Sequence, residues 1–136
     1  MIKLSMIYEG ELRCRVIHEP SGNEILTDAP VDNMGKGEAF SPTDLVAAAL
    51  GSCMLTVIGI TAQKNNIDLT GTTAEVTKEM ATSPVRRIGK MAVTIYMASG
   101  INRSKRSILD QAAQMCPVYK SIHPSVSMPV KFIYPD

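Results

Sequence analysis

The segment that decides the fold is residues 41–60, SPTDLVAAALGSCMLTVIGI, whose pattern is that of the start and body of one long helix. Ser41 is a typical N-cap residue, Pro42 suits the first helical position, and Asp44 stands where a capping box needs its second side chain. No residue between 45 and 60 is charged, and apolar side chains fall on every side of the helical wheel. We therefore expect a helix that is buried on all sides.

The same helix is not expected to cross a membrane. Its apolar run is shorter than the about 18 residues typical of a span, and Gly51, Ser52, Thr56 and Gly59 interrupt it. Polar residues 63–66 then end the helix, which we interpret as a core helix.

Composition and charge narrow the class of protein. The 136 residues are 45% hydrophobic and 20% charged, which is typical of a folded chain, and the length suits one domain, residues 1–136. Fourteen Lys and Arg face thirteen Asp and Glu, so we expect neither a nucleic-acid partner nor a membrane surface. Residues 1–14 lack the apolar core of a signal peptide, and we expect a cytoplasmic protein.

Alternating apolar residues predict strands on both sides of the helix. Leu12, Cys14 and Val16 fall on one face of an extended segment, and the turn residues 19–23 that follow predict a hairpin. A loop covers residues 29–40. The predicted strands are residues 12–16, 24–28, 72–80 and 91–97.

The last third of the chain predicts two helices and a strand. A helix that begins at Asn102 or Ser104 places Ile108, Ala112 and Cys116 on one stripe, with Leu109 and Ala113 beside it.

Pro117 interrupts that helix, and Cys116 is then expected to cap a short helix over residues 117–122. Residues 126–134 alternate as a final strand, and Pro129 places this strand at a sheet edge or a bulge. The predicted class is α+β, in the order strands, long buried helix, β-hairpin, helix, strand.

The chain contains three cysteines, Cys14, Cys53 and Cys116. Because their number is odd, permanent disulfides are not expected. Cys14 is expected to pack in the core. A cysteine in a buried helix, such as Cys53, is usually a small apolar side chain. Cys116, beside Pro117, stands at a helix start whose unpaired backbone N–H groups would lower the pKa of the thiol.

Activation of Cys53 would need a side-chain cation, for which Arg13, Arg15 and Lys36 are the candidates. The two histidines, His18 and His123, are far apart in sequence, so no metal site is expected.

Residues 41–53 and the later Cys116-Pro117-Val118 resemble the OsmC/Ohr family of osmotically inducible and organic hydroperoxide resistance proteins. The cap, the proline, the uncharged helix, the helical cysteine and the late Cys-Pro occur in order, and the resemblance covers essentially the whole chain. It is closest to the less characterised branch. The resemblance implies an OsmC-like fold and an intertwined homodimer in which each long helix is buried between the sheets of the two subunits.

The resemblance also implies a chemistry. Cys53 would attack an organic hydroperoxide and become a sulfenic acid, Cys116 would resolve it to a disulfide, and a dithiol would reduce that disulfide without a bound cofactor. In the peroxidases of the family that this chain resembles, a Glu stands at the position of Thr43 and is paired with an Arg. Here the Arg would be Arg13 or Arg15. Without the Glu we expect slower peroxide reduction, with a rate that still rises above pH 7.

Two other functions remain open. One is a non-peroxidase member that senses redox state or binds a small apolar ligand, and the other is a structural dimer whose cysteines only pack. Measuring whether the protein consumes an organic hydroperoxide distinguishes the peroxidase from these two other functions.

Overall fold

The computed structural model describes residues 1–135 and contains two compact units, the first from Met1 to Val46 and the second beginning at Ala47. Each unit contains one three-stranded sheet. The predicted α+β class is confirmed, whereas the single domain stays a prediction. In chain order the elements are β1 (Leu4–Gly10), β2 (Arg13–His18), β3 (Asn23–Asp28), a 3-10 turn (Val31–Asn33), α1 (Pro42–Lys64), β4 (Thr73–Ala81), β5 (Arg87–Tyr96), α2 (Arg103–Ala113), α3 (Pro117–Ser121) and β6 (Val130–Ile133).

The first unit is an antiparallel meander of β1, β2 and β3. Met6 pairs with Val16, and Val16 pairs with Ile25, so these three side chains share one face of the sheet. On this face Met6 is 63% exposed and Ile25 is 46% exposed in the single chain. The sheet therefore presents an uncovered apolar face.

The hairpin of β2 and β3 is confirmed, but β1 was not predicted. Leu12 is also misplaced by the sequence pattern, since it lies in the turn between β1 and β2 and not in a strand. Gly10, Glu11 and Leu12 have positive φ angles of 89°, 53° and 64°. This left-handed turn ends the alternation, and Leu12 does not belong to the stripe that contains Cys14.

The capping box at the start of α1 is confirmed. Ser41 Oγ accepts the backbone N–H of Asp44 at 3.0 Å, and Asp44 Oδ2 accepts the backbone N–H of Ser41 at 3.0 Å. The two side chains thus satisfy backbone donors that the first helical turn leaves without partners.

Helix α1 is buried on one side only, so the expectation of burial all round is wrong for the single chain. Leu50, Met54 and Ile58 are fully buried at i, i+4 spacing. By length and composition alone α1 is long and apolar enough to cross a membrane, but the core helix of a soluble protein passes the same test. A stripe on the opposite side is exposed and consists of Ala48, Ser52, Thr56 and Ile60.

The second unit builds its core on β5, the central strand of the second sheet. A Cβ added at Gly51 would lie 2.9 Å from Val76 Cγ2, so glycine allows α1 to approach β4 closely. The fully buried side chains of β5 are Met91, Val93 and Ile95, each less than 2% exposed.

The elements after the second hairpin differ from the sequence prediction in detail. In α2 the buried residues are Leu109 and Ala113, whereas Ile108 is 41% exposed, so the predicted stripe is shifted by one position. Strand β6 has four residues, which is shorter than predicted, and it pairs with β5 in parallel at the sheet edge. The short helix α3 with Cys116 as its N-cap is confirmed.

Ser41→Ala should destabilise the protein by about 1 kcal/mol, because it removes the N-cap oxygen of α1. Urea denaturation measures the change. The matched control is Ser107→Ala on the exposed face of α2, which should stay within about 0.5 kcal/mol of the parent. Equal losses in the two variants would contradict the role of the capping box.

Candidate active site

Two of the three thiols lie together in the second unit. Cys53 lies in the middle of α1 and is partly exposed, whereas Cys116 directly precedes α3 and is fully buried. The two side chains are near enough for Cys53 to contribute to the raised pKa of the Cys116 thiol. The fold therefore brings together two sulfur atoms that are far apart in the sequence.

Cys116 has a second role as the N-cap of α3, where its Sγ accepts the backbone N–H of Tyr119 at 3.3 Å. Burial raises the pKa of the Cys116 thiol, and the hydrogen bond with Cys53 raises it further. The backbone N–H groups of Tyr119 and Val118 lower the pKa of this thiol, but by less than burial and Cys53 raise it. The expected lowering of this pKa is therefore wrong, because desolvation outweighs the helix terminus.

Cys14 lies on β2 in the first unit and is paired in register with Tyr8 and Thr27. It is partly buried and forms no disulfide. Within residues 1–135 there is no group of three or more His, Cys, Asp or Glu side chains that could hold a metal ion.

Arg13 is bound by two carboxylates of the first unit. Its Nη2 donates to Glu38 Oε1 at 2.9 Å and to Asp28 Oδ2 at 3.5 Å. Asp28 is fully buried, and its Oδ2 also accepts the backbone N–H of Glu38 at 2.9 Å. This N–H, together with Arg13, lowers the pKa of Asp28 despite its burial.

Arg15 has a different environment on the surface of the same sheet. Its Nε donates to Glu9 Oε2 at 2.9 Å and its Nη1 donates to Glu24 Oε1 at 2.8 Å. These two carboxylates raise the pKa of Arg15. The third candidate cation, Lys36, pairs with Glu11 at 3.2 Å.

Thr43 is the second residue of α1, and its Oγ1 lies 3.2 Å from Ser41 Oγ. The side chain is therefore part of the polar N-terminus of the helix and brings no charge to it. Asp28 and Glu38 are the residues that sequence reasoning missed here. The sequence did offer a signal, since Asp28 is an acidic residue at the end of β3 and the neighbouring strand β2 carries Arg13. Only the strand register shows that Arg13 and Asp28 lie opposite each other.

Fold and thiols together define a small α+β protein with two neighbouring thiols, Cys53 and Cys116. The model of the OsmC family, described as OsmC-like protein, matches residues 35–131, and the chain therefore belongs to the OsmC family. Proteins of this family are soluble, and α1 serves as a core helix.

Solved structures agree with this assignment. A Psychrobacter arcticus 273-4 protein, described as an osmotic stress induced and detoxification response protein, is 50% identical, with a TM-score of 0.91 over 98% of this chain and 96% of that chain. The organic hydroperoxide resistance protein OsmC of Legionella pneumophila is 20% identical, with a TM-score of 0.74 over 97% and 96%. OhrB of Bacillus subtilis is 16% identical, with a TM-score of 0.70 over 98% of both chains. The last two identities show the fold alone. None of the curated protein sequences matches the chain significantly.

Asp28→Asn should destabilise the protein at pH 7, and the difference from the parent should shrink as the pH falls below about 4. The carboxylate of Asp28 has a lowered pKa in the folded state, so its stabilisation is present above its ordinary pKa of 3.8. That stabilisation is lost as the pH falls through the folded-state value. Urea midpoints measured from pH 7 to pH 2.5 test this. The control is Glu11→Gln, an exposed ion-pair partner, which should have little effect at either pH. A pH-independent loss in Asp28→Asn would contradict the electrostatic account.

Proposed function

We propose that the protein reduces organic hydroperoxides with thiols as the electron source and serves in the defence against oxidative stress. The observation that carries the proposal is that the fold places Cys53 of α1 next to Cys116 at the start of α3. Membership of a family that includes organic hydroperoxide resistance proteins supports the same chemistry. In this mechanism the enzyme is a cysteine-based peroxidase that needs no bound cofactor.

Cys53 is the nucleophile in this proposal because it is the more exposed thiol. Its thiolate attacks the outer oxygen of the hydroperoxide, and the O–O bond breaks. The sulfur becomes a sulfenic acid, while the alkoxide leaves and takes up a proton as the alcohol. Burial and the neighbouring Cys53 raise the pKa of the Cys116 thiol, which favours its protonated form while Cys53 reacts.

Cys116 is the resolving residue because its sulfur already lies beside that of Cys53. Its thiol condenses with the sulfenic acid, so that an S–S bond forms and water leaves. An external dithiol then reduces this disulfide by two exchange steps and is itself oxidised to a disulfide. The cycle returns both cysteines to thiols.

Between the two candidate cations we propose Arg13 as the support of the Cys53 thiolate. Arg15 uses both Nε and Nη1 for carboxylates, whereas Arg13 binds its two carboxylates through Nη2 alone. Arg13 Nε is buried and makes no hydrogen bond to a described residue. Arg13 thus keeps a donor available, and the buried Asp28 and the exposed Glu38 hold its guanidinium, a role that the family pattern gives to a Glu at the position of Thr43.

We also propose that the protein acts as a homodimer in the cytoplasm. The apolar face of the first sheet and the exposed stripe of α1 are surfaces that a second copy would cover. Three free thiols suit a compartment in which thiols stay reduced.

Purified protein should consume cumene hydroperoxide in the presence of dithiothreitol, and Cys53→Ser should reduce the rate to that of the buffer. Cys116→Ser should still react once, and its Cys53 sulfenic acid should be trapped by dimedone because the resolving thiol is absent. Cys14→Ser is the matched control and should keep the parent rate. A protein that forms the disulfide with other oxidants but leaves the hydroperoxide intact would instead be a redox sensor or a binding protein. An active Cys53→Ser variant would refute the assignment of the nucleophile.

Arg13→Gln should slow alkylation of Cys53 by iodoacetamide at pH 7 by about tenfold, since one opposite charge changes the thiolate fraction by about that factor. Arg15→Gln is the control and should change the rate less than twofold. Thr43→Glu should raise the rate, because it adds the family carboxylate. The measurement uses Cys14→Ser as the background, with mass spectrometry of the labelled peptide. A larger effect at Arg15 than at Arg13 would reverse the assignment.

The protein should sediment at micromolar concentration with twice the 14.7 kDa mass of the chain. Met6→Glu should dissociate the dimer, because it places a charge on the apolar face of the first sheet. Thr73→Glu, on the exposed side of β4, is the control and should stay dimeric. A parent protein that sediments as a monomer would exclude the proposed assembly.

A further inference from the structure

The short helix α3 has little support of its own. It contains five residues, none of which is buried. Inside it, Lys120 donates its backbone N–H to the carbonyl oxygen of Cys116 at 3.1 Å, and Ser121 Oγ donates to the carbonyl oxygen of Pro117 at 2.7 Å. An isolated helix of this length is unstable in water. Its stability therefore depends strongly on its N-cap, the fully buried Cys116.

The sulfur of Cys116 takes part in two interactions at once. It accepts the backbone N–H of Tyr119 at 3.3 Å, and it is near enough to Cys53 for the two thiols to influence each other. We propose that oxidation of this thiol pair removes the N-cap of α3 and unfolds that helix locally, so that the redox state of the site controls the order of residues 117–121. This inference rests on the proposed function, because it needs the disulfide between the two cysteines.

The reaction explains why the cap is lost. Cys53 sulfenic acid and the Cys116 thiol combine, an S–S bond forms, and the oxygen leaves as water. The covalent bond holds the two sulfur atoms closer together than a hydrogen bond does, which draws Sγ of Cys116 away from the Tyr119 N–H. The N–H of Tyr119 then loses the acceptor that it has in the dithiol form.

Local unfolding of α3 has a consequence for the reductant. In the dithiol form Cys116 is fully buried, so its sulfur is closed to an external thiol. Once α3 opens in the disulfide form, the sulfur becomes accessible to a dithiol, which reduces it and allows the helix to form again. Access of the reductant is thereby limited to the oxidised protein.

Amide hydrogen exchange measured by NMR tests the inference at Tyr119. The parent protein is compared in dithiothreitol and after oxidation with diamide, which takes two hydrogen atoms from the dithiol without any peroxide. Mass spectrometry verifies the bond between Cys53 and Cys116. We expect exchange at Tyr119 about fivefold faster in the disulfide form, the factor that corresponds to about 1 kcal/mol of N-cap stabilisation. Exchange at Met91 and Val93 in β5 should stay unchanged and so report that the core remains folded.

Three variants isolate the role of the sulfur. Cys53→Ser treated with diamide should show no change at Tyr119, because no bond to Cys116 forms. In the reduced state Cys116→Ala should accelerate exchange at Tyr119 by about fivefold, whereas Cys116→Ser should preserve protection because its hydroxyl accepts the same N–H.

The outcomes separate this inference from the peroxidase proposal. A disulfide with unchanged or slower exchange at Tyr119 overturns the coupling, and so does failure of diamide to join Cys53 and Cys116. If the oxidised protein shows faster exchange but does not consume hydroperoxide, the coupling stands and the peroxidase function falls.

Discussion

The constraint on which the structure depends is that helix α1 has no charged face between its first and last turns. A helix of 23 residues with this composition must be covered by protein along its length. The second unit covers the side that carries Leu50, Met54 and Ile58, and Gly51 allows β4 to approach. The opposite side stays exposed in one chain, and it is one of the surfaces on which the proposed homodimer rests.

The candidate site follows from the same helix. Cys53 lies in the middle of α1, where a rigid backbone fixes the direction of the side chain. Cys116 reaches it from the junction of two other helices, where Pro117 interrupts the chain and the sulfur serves as a cap. Because the capping sulfur and the thiol partner are the same atom, the chemistry of the pair and the stability of α3 are linked.

Electrostatics in the first unit illustrates how burial changes the role of a charge. Arg13 and Arg15 are two residues apart on β2 and each meets two carboxylates. One of the partners of Arg13 is the fully buried Asp28, which cannot remain charged without its hydrogen bonds. The exposed partners of Arg15 contribute little to stability, because water screens them.

Local chemistry in the sequence was sufficient for the cap of α1, the start of α3 and both hairpins, because each depends on residues that are close together in the chain. It was insufficient for β1, where apolar residues such as Met6 and Ile7 lie on both faces and hide the alternation. For β6 it predicted a final strand at a sheet edge but neither its short length nor its parallel partner β5, which is remote in sequence. In α2 the apolar Ile108 and Leu109 are neighbours, and only packing shows that Leu109 is the buried one.

By itself the sequence determined the class of fold, the long uncharged helix and the two cysteines worth testing, since periodicity and capping are local properties of the chain. Only the tertiary structure decided that Cys53 and Cys116 are neighbours, that burial raises the pKa of the Cys116 thiol, and that Asp28 and Glu38 hold Arg13. These contacts join residues far apart in sequence. They depend on strand register and on the depth at which each side chain is buried, and no local pattern of residues specifies either.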